Sequence, residues 1–218
     1  MEARDSLVQK ELAQAAHMHV ETAINEQQLE LLKLDVQIRQ ENYNFEKAKS
    51  FHNQFYLFAE AVDLRNVTNC IGELGVWDRL EPTCDIEIAF HSPGGAVLPG
   101  MALFDFISRL KRTHRITTSV LGFSASMAAI LLQAGSHRIV GGETSIMLHE
   151  LTGGAVGRIA DIEDTTAFLR KIQDRVINLF LERSGGRIDR DTFLQNWKRE
   201  WWLNAEEMVR WGFADEVV

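Results

Sequence analysis

The chain is 218 residues long, carries a formal net charge of −8, and is 45% hydrophobic and 25% charged. This composition is typical of a globular protein, and the length is enough for one domain with a sizeable core plus an extension. The basic residues do not cluster, which argues against nucleic acid or an anionic membrane as the main partner.

Residues 1–5 lack the apolar core and cleavage site of a signal peptide, and no apolar run is long enough to span a bilayer. We therefore expect a cytoplasmic protein. Cys70 and Cys84 are too far apart for a Cys-x-x-Cys motif, and we interpret both as reduced, buried structural thiols. The histidines are scattered, so we expect neither a metal site nor a cofactor.

Residues 1–54 are predicted to form an N-terminal helical extension. Between residues 5 and 50 there is no proline or glycine, and good helix formers dominate the composition. Leu29, Leu32, Val36 and Ile38 recur at roughly helical spacing, which predicts a long amphipathic helix. Such a helix packs on its own domain or a neighbouring subunit, or it docks a separate partner.

Residues 55–218 are predicted to form one α/β domain in which strands alternate with helices. Strands are expected at 55–58, 85–90, 116–120 and 145–149, and helices at 64–74, 99–110 and from 126 onward. This alternation predicts a parallel sheet flanked by helices, with reactive groups at the carboxyl ends of the strands.

A longer helix is predicted from Arg158 to Ser184, where apolar residues form one seam: Ile159, Ile162, Leu169, Ile172, Val176, Leu179 and Phe180. The apolar seam of so long a helix is more than one small core can cover. Near the end of the chain, Asn204 with Glu207 three residues later predicts a capped helix that Gly212 ends. A final strand is expected within 213–218.

Three segments carry the chemistry. Ser126 follows a β-branched run and precedes an apolar one, so the pattern predicts a strand, a sharp turn and a helix that exposes the hydroxyl at the helix start. Gly94 and Gly95 end the strand at 85–90, where the backbone can approach a ligand closely. His149 ends the strand predicted at 145–149. These are the parts that a serine hydrolase needs.

Five motifs occur in the order and spacing of one known family: Ser92-Pro93-Gly94-Gly95, Ala125-Ser126-Met127-Ala128, Met147-Leu148-His149, Gly153-Gly154 and Asn204-Ala205-Glu206-Glu207. Over residues 55–218 the chain resembles the Clp-type proteolytic subunit, the ClpP-like caseinolytic serine proteases, in a divergent or phage-type form. The resemblance implies a crotonase/ClpP-like fold of repeated βαβ units in which the long helix at 158–184 is a handle between two rings.

By this resemblance, Ser126 is the nucleophile and His149 the general base. The alternative to a catalytic role is that Ser126 is only the N-cap of the helix, a position that Ser124 could fill equally well. Glu200 aligns with the aspartate that orients the family's histidine; its carboxylate reaches one methylene further, and the alternatives are a solvated glutamate or Asp191 in that role.

The resemblance further assigns an oxyanion hole to the backbone N–H groups of Gly94 and Met127. An extended substrate would pair as an added strand with two segments. Their residues are Gly95, Ala96 and Val97 on one side and Leu151, Thr152 and Gly153 on the other. Leu151 stands where the family usually has proline.

The leading hypothesis is therefore a serine endopeptidase that hydrolyses unfolded polypeptides through an acyl-enzyme, inside a homo-oligomer of stacked heptameric rings. The family's short axial loop, which engages an ATPase unfoldase, has no match here. One alternative is a catalytically impaired ring subunit that scaffolds a paralogue or a capsid. Others are crotonase-type acyl-CoA chemistry and a Ser-Lys peptidase using Lys171 or Lys198.

Overall fold

A computed structural model describes residues 2–49 and 54–218, and the side chains of all of these except residues 2–9 and 13. The chain divides into two units, one containing helix α1 and the other spanning Gln54–Val218. The helices are α1 (Glu2–Ala48), α2 (Leu64–Leu80), α3 (Val97–Leu110), α4 (Met127–Leu132), α5 (Ile159–Arg183), α6 (Arg190–Trp197) and α7 (Ala205–Arg210). The strands are β1 (Phe55–Phe58), β2 (Ile86–Ser92), β3 (Ile116–Ala125), β4 (His137–Val140), β5 (Ser145–Leu148), β6 (Trp201–Leu203) and β7 (Glu216–Val217).

The sheet has the strand order β1-β2-β3-β4-β7, and every neighbouring pair along it is parallel. Strand β5 pairs in parallel with the far end of β3, and β6 pairs antiparallel with β5. Helices connect the strands, as parallel pairing requires. The α/β fold predicted from the sequence, with a parallel sheet, flanking helices, a long handle helix and an N-terminal helix, is confirmed.

The carboxyl end of β3 positions the later chemistry. This strand runs to Ala125, five residues beyond the predicted run, because its last three residues pair with β5. Strands β4 and β6 and helix α6 were not predicted. Each is short, and β4 includes His137 and Arg138, so the local pattern gives no strand signal.

The core is built on the sheet and on the aromatic contacts of the C-terminal elements. Fully buried side chains from β2, α3 and α4 include Phe90, Leu103 and Leu131. Phe180 of the handle helix lies 5.1 Å from Phe213, measured between ring centroids. The cysteines differ from expectation in one respect, since Cys70 is buried but Cys84 is only half-buried.

In the single chain, the C-terminal part of the handle helix α5 is packed against the domain, whereas its N-terminal part is exposed to solvent. Val176 and Phe180 are buried, as the predicted seam requires, whereas Ile159 and Ile162 at its start are exposed. The predicted cap of α7 is also present: Asn204 Oδ1 accepts from the Glu207 N–H and Glu207 Oε2 accepts from the Asn204 N–H.

A buried arginine links the end of the chain to the sheet. The guanidinium of Arg138, 5% exposed, donates to both carboxylate oxygens of Asp215 and to the carbonyl of Gly212. Burial alone would raise the pKa of Asp215, but the hydrogen bonds and charge of Arg138 outweigh it and lower the pKa below its usual value. The pair therefore stabilises the fold in its ionised form.

Asp215→Asn should lower the free energy of unfolding by about 3 kcal/mol at neutral pH, because it leaves a buried cation without its counter-charge. The native pKa of Asp215 is depressed, so the contribution is present above the unfolded pKa and is lost as pH falls through the folded value. Urea unfolding at pH 7 and near pH 3 measures this. An equal gap between wild type and variant at both pH values would contradict it.

Candidate active site

Ser126 occupies a strained turn between β3 and α4. Its φ of 55° and ψ of −123° are rare for a residue with a side chain, and such conformations cluster at functional sites. The Ser126 N–H donates to the carbonyl of Met147 in β5 at 2.8 Å. This bond fixes the serine against the strand that leads, two residues later, to His149.

The structure brings Ser126 and His149 into direct contact. Nε2 of His149 lies 2.8 Å from Oγ of Ser126, within the range of a good hydrogen bond. Both side chains are partly exposed, so a substrate can reach them. With Nε2 as acceptor the hydroxyl donates to the imidazole, which is the geometry in which a histidine takes the proton of a nucleophile.

The start of α4 supplies backbone donors beside the hydroxyl. Met127 is the first residue of this helix, where N–H groups have no acceptor within the helix. Gly94 approaches closely from β2: a Cβ at Gly94 would lie 2.8 Å from both Met127 N and Ser126 Cβ and would collide with the Ala125 carbonyl oxygen. Its φ of 83° also favours glycine.

The two glycine amides of this turn are used differently. The Gly94 N–H donates to Oγ of buried Ser92 at 3.2 Å, so it is engaged within the turn. Gly95 forms a parallel bridge with Val62, in which the carbonyl of Gly94 and the N–H of Ala96 bond to Val62. The N–H of Gly95 itself therefore points away from Val62.

Glu200 lies beside His149 in the backbone but its side chain points elsewhere. The antiparallel register of β5 and β6 pairs Leu148 with Trp201, which places Glu200 opposite His149 one step further along. The exposed Glu200 carboxylate instead accepts from Nε1 of Trp202 at 3.3 Å. Within residues 54–218, Nδ1 of His149 has no hydrogen-bond partner.

The other predicted substrate residues border the same site. Leu151, Thr152 and Gly153 follow His149 in irregular backbone and are partly or fully exposed. On the opposite side, the Ala96 N–H already donates to Val62 at 2.6 Å, which removes it from substrate pairing in this conformation. Asp191, the other candidate acid, is exposed in the first turn of α6.

A small apolar pocket adjoins the serine, lined by Val97, Ser126, Met127, Ile130, Leu148, His149, Leu151 and Trp197. Sequence reasoning missed Trp197 and Val62 as site residues. Trp197 is carried to the pocket by α6, and its carbonyl accepts from the Glu150 N–H at 3.1 Å. Neither residue stands in a motif, so no local signal marks them.

The sequence predicted neither a metal site nor a membrane-spanning segment. Across residues 2–49 and 54–218, no three histidine, cysteine or carboxylate side chains are grouped so that they could hold a metal ion. No helix within the described residues is long and apolar enough to cross a membrane.

Comparison with known proteins identifies the family of this chain. A sequence model of the Clp protease family matches residues 39–218. The chain belongs to the Clp protease family. It is 31% identical over 150 residues to an ATP-dependent Clp protease proteolytic subunit of Dehalococcoides mccartyi, covering 68% of this chain and 73% of the relative. It is 28% identical over 197 residues to the subunit of that name from Bacteroides thetaiotaomicron, covering 89% and 83%.

Membership of the Clp protease family supports a protease role for this chain, as the sequence motifs predicted. It gives no support to crotonase-type acyl-CoA chemistry. It does not favour the alternative of an impaired, purely structural ring subunit.

Proposed function

We propose that this chain is a serine endopeptidase that hydrolyses unfolded polypeptides or peptides through an acyl-enzyme. The observation that carries the proposal is the 2.8 Å contact between Ser126 Oγ and His149 Nε2 at a strained turn heading a helix. Residues 55–218 form the peptidase domain and residues 1–54 the extension. Free Cys70 and Cys84 fit action in the reducing cytoplasm.

In this mechanism His149 takes the Ser126 proton as Oγ attacks the scissile carbonyl. The carbonyl oxygen becomes an oxyanion held by the Met127 N–H and by an amide of the glycine turn. We assigned that second donor to Gly94 from the sequence. Because the Gly94 N–H is engaged by Ser92, the Gly95 N–H is the better placed of the two.

Collapse of the intermediate breaks the peptide bond, and the His149 imidazolium gives its proton to the leaving amine. A water molecule, deprotonated by the same histidine, then attacks the acyl-enzyme and restores Ser126. The pocket walled by Leu148, Leu151 and Trp197 has room for little more than one water molecule in this conformation, so an apolar substrate side chain would enter it only if these walls move apart. No metal takes part in this sequence of steps.

We further propose a homo-oligomer, with stacked heptameric rings as in the family it resembles. The exposed Ile159 and Ile162 at the start of the handle helix support an oligomer, since burial against another copy would cover them. The relatives are named subunits of an ATP-dependent protease, which supports an ATPase unfoldase as partner. The axial-loop segment expected for such a partner has no match in residues 1–54.

A fluorophosphonate probe tests the proposed nucleophile in the assembled particle. Such probes react with serines that a neighbouring base activates. Mass spectrometry of the digested protein should find the adduct on Ser126, and prior treatment with the probe should stop peptide hydrolysis. Labelling elsewhere, or an assembled particle that takes up no probe, would refute the serine mechanism.

We propose that Glu200 orients His149 by accepting a hydrogen bond from Nδ1. Substitutions of Glu200, and of the Trp202 that now binds its carboxylate, test this role. Glu200→Gln should lower kcat by on the order of 10²-fold, because the imidazole loses the charge that would hold it in register once the carboxylate turns from Trp202 to Nδ1. Glu200→Asp should retain or raise activity. Trp202→Phe removes the N–H that now holds the carboxylate, and should raise kcat several-fold while leaving KM unchanged.

The control is the double variant Glu200→Gln with Trp202→Phe, assayed for peptide hydrolysis. If Trp202 acts only by holding the Glu200 carboxylate, its substitution has no effect once that carboxylate is an amide. Equal gains in the two backgrounds would place the effect of Trp202 elsewhere. Unchanged kcat in both Glu200 variants would remove Glu200 from the mechanism.

A further inference from the structure

Helix α1 carries two apolar stripes, each with a seven-residue repeat. Stripe A contains Val20, Ile24, Leu31, Leu34, Ile38 and Phe45. Stripe B contains Met18, Leu29, Leu32, Val36 and Tyr43. All eleven side chains are between 47% and 67% exposed in the single chain. A helix of 47 residues is about 70 Å long, so each stripe is a long unpaired seam.

The two stripes lie on opposite sides of the helix. At about 100° per residue, Leu31 and Ile38 project roughly 140–180° away from Leu29 and Val36. The sides between the stripes are polar and carry residues such as Gln28, Asp35 and Asn44. A helix that packs on one surface needs one stripe, whereas two opposite seven-residue repeats indicate a coiled-coil neighbour on each side.

Symmetry limits what those two neighbours can be. A two-fold dimer pairs a stripe with itself and leaves the other stripe uncovered. In a closed ring each copy meets two others through different faces, so stripe A of one copy can cover stripe B of the next around the whole circle. Ring symmetry also makes neighbouring α1 helices parallel.

The side chains match in this arrangement. When the contacting positions differ by two residues, Leu31 faces Leu29 and Ile38 faces Val36. This offset of about 3 Å is compatible with a closed ring if the helices tilt against the ring axis, since all copies lie at one height. The same offset places Leu34 opposite Leu32 and Phe45 opposite Tyr43, as listed along the two repeats. These four layers pair apolar with apolar, as a parallel coiled coil requires, whereas Ile24 of stripe A faces the polar Thr22.

The polar positions inside the stripes match as well. At the same offset Gln27 of stripe A faces Asn25 of stripe B, and Glu41 faces Arg39. Pairing stripe A with itself would instead place Glu41 against Glu41. Pairing stripe B with itself would place Arg39 against Arg39. Charge therefore favours unlike stripes, because like charges facing each other in a layer are repulsive.

The positions that flank the layers lead to the same conclusion. Between unlike stripes, Glu30 lies opposite Lys33, an attractive pair. In a parallel pairing of stripe A with itself, Glu30 would lie opposite Asp35. In a parallel pairing of stripe B with itself, Glu21 would lie opposite Glu26.

We propose that α1 is a ring-forming element, in which stripe A of each copy packs in parallel on stripe B of the next copy of this chain. The occupant of both stripes is thus a second copy rather than a foreign partner. This deepens the ring assembly proposed above and rests on it for the parallel orientation. It is independent of the serine chemistry, which the probe for Ser126 tests separately.

Disulfide trapping tests the pairing in the full chain. A Cys84→Ala background removes the accessible thiol, while buried Cys70 remains. Chains with Leu31→Cys and chains with Leu29→Cys, mixed during assembly and then oxidised, should form covalent dimers. Neither should do so alone, and one chain carrying both changes should give a ladder of linked copies.

Each other outcome contradicts the proposal. Covalent dimers from Leu31→Cys alone would indicate two-fold pairing of stripe A. No cross-linking in the mixture would mean that another surface or a foreign protein covers the stripes, or that nothing does. The Ser126 probe is applied to the same samples, so that a failure of α1 pairing is distinguished from a failure of the peptidase proposal.

A charge swap gives a second measurement that does not depend on cysteine geometry. Glu41→Lys should speed amide hydrogen exchange across residues 20–45 by about 10-fold or more, because it places a cation against Arg39 of the next copy. Arg39→Glu should do the same, and the two changes together should restore slow exchange. Glu26→Lys, which makes the same charge change on a polar side, serves as the control.

Fast exchange throughout residues 20–45 of the unmodified particle would show an unpacked helix and overturn the proposal. So would a double variant that exchanges as fast as either single one. Both results are readable without any peptidase assay.

Discussion

Ser126→Ala should lower kcat/KM for peptide hydrolysis by at least about 10⁴-fold and abolish fluorophosphonate labelling. The hydroxyl is 2.8 Å from His149 Nε2, and loss of the nucleophile of a catalytic triad costs on the order of 10⁶-fold in kcat in a well-studied serine protease. Backbone donors and binding still leave a residual rate above that of water. Steady-state hydrolysis of a fluorogenic peptide measures the effect.

Ser124→Ala is the matched control for this experiment. Ser124 lies two residues earlier and is buried, and within the described residues its Oγ has no hydrogen-bond partner. Its removal should leave hydrolysis and labelling close to wild type. Loss of activity in Ser124→Ala with full activity in Ser126→Ala would reassign the nucleophile.

Gly94→Ala should lower kcat by about 10² to 10³-fold, comparable to loss of one oxyanion-hole donor. The added methyl would collide with the Ala125 carbonyl and lie 2.8 Å from Met127 N and Ser126 Cβ, so the turn must move away from the serine. The positive φ adds strain, which should destabilise the fold by about 1–3 kcal/mol. Kinetics and thermal unfolding of the assembled particle separate the two effects.

Gly72→Ala is the control for a glycine change. Gly72 lies in α2 with no atom within 4 Å of an added Cβ, and helix propensity favours alanine there. This variant should be fully active and slightly more stable. A Gly94→Ala enzyme with normal kcat would show that the glycine turn does not approach the reacting carbonyl.

The resemblance seen in the sequence places Glu200 where that family has an aspartate, and the structure shows which groups its carboxylate contacts. The backbone register sets Glu200 opposite His149, yet the carboxylate bonds to the indole of Trp202. The longer side chain gives it that second partner within reach. A histidine whose Nδ1 lacks an acceptor is less well held, so activity depends on where this carboxylate settles.

Much of the site could be predicted because it is local. Three features leave a pattern within a few residues of the chain. They are the serine between a β-branched run and an apolar helix start, the glycine pair after a strand, and the histidine at the end of another strand. Trp197 and Val62 left no such pattern, since long-range packing alone brings them to Ser126 and Gly95. Cys84, which we expected to be buried, is half-exposed, and this too depends on residues packed around it from elsewhere in the chain.

The sequence by itself determined the alternation of strands and helices, the serine turn, the family and the long N-terminal helix, because each depends on the periodicity or conformational limits of neighbouring residues. Only the tertiary structure decided that Ser126 and His149 touch, that Ser92 occupies the Gly94 amide, and that the Glu200 carboxylate turns to Trp202. Those contacts join segments distant in the chain or depend on a choice between rotamers, and neither is encoded in local spacing.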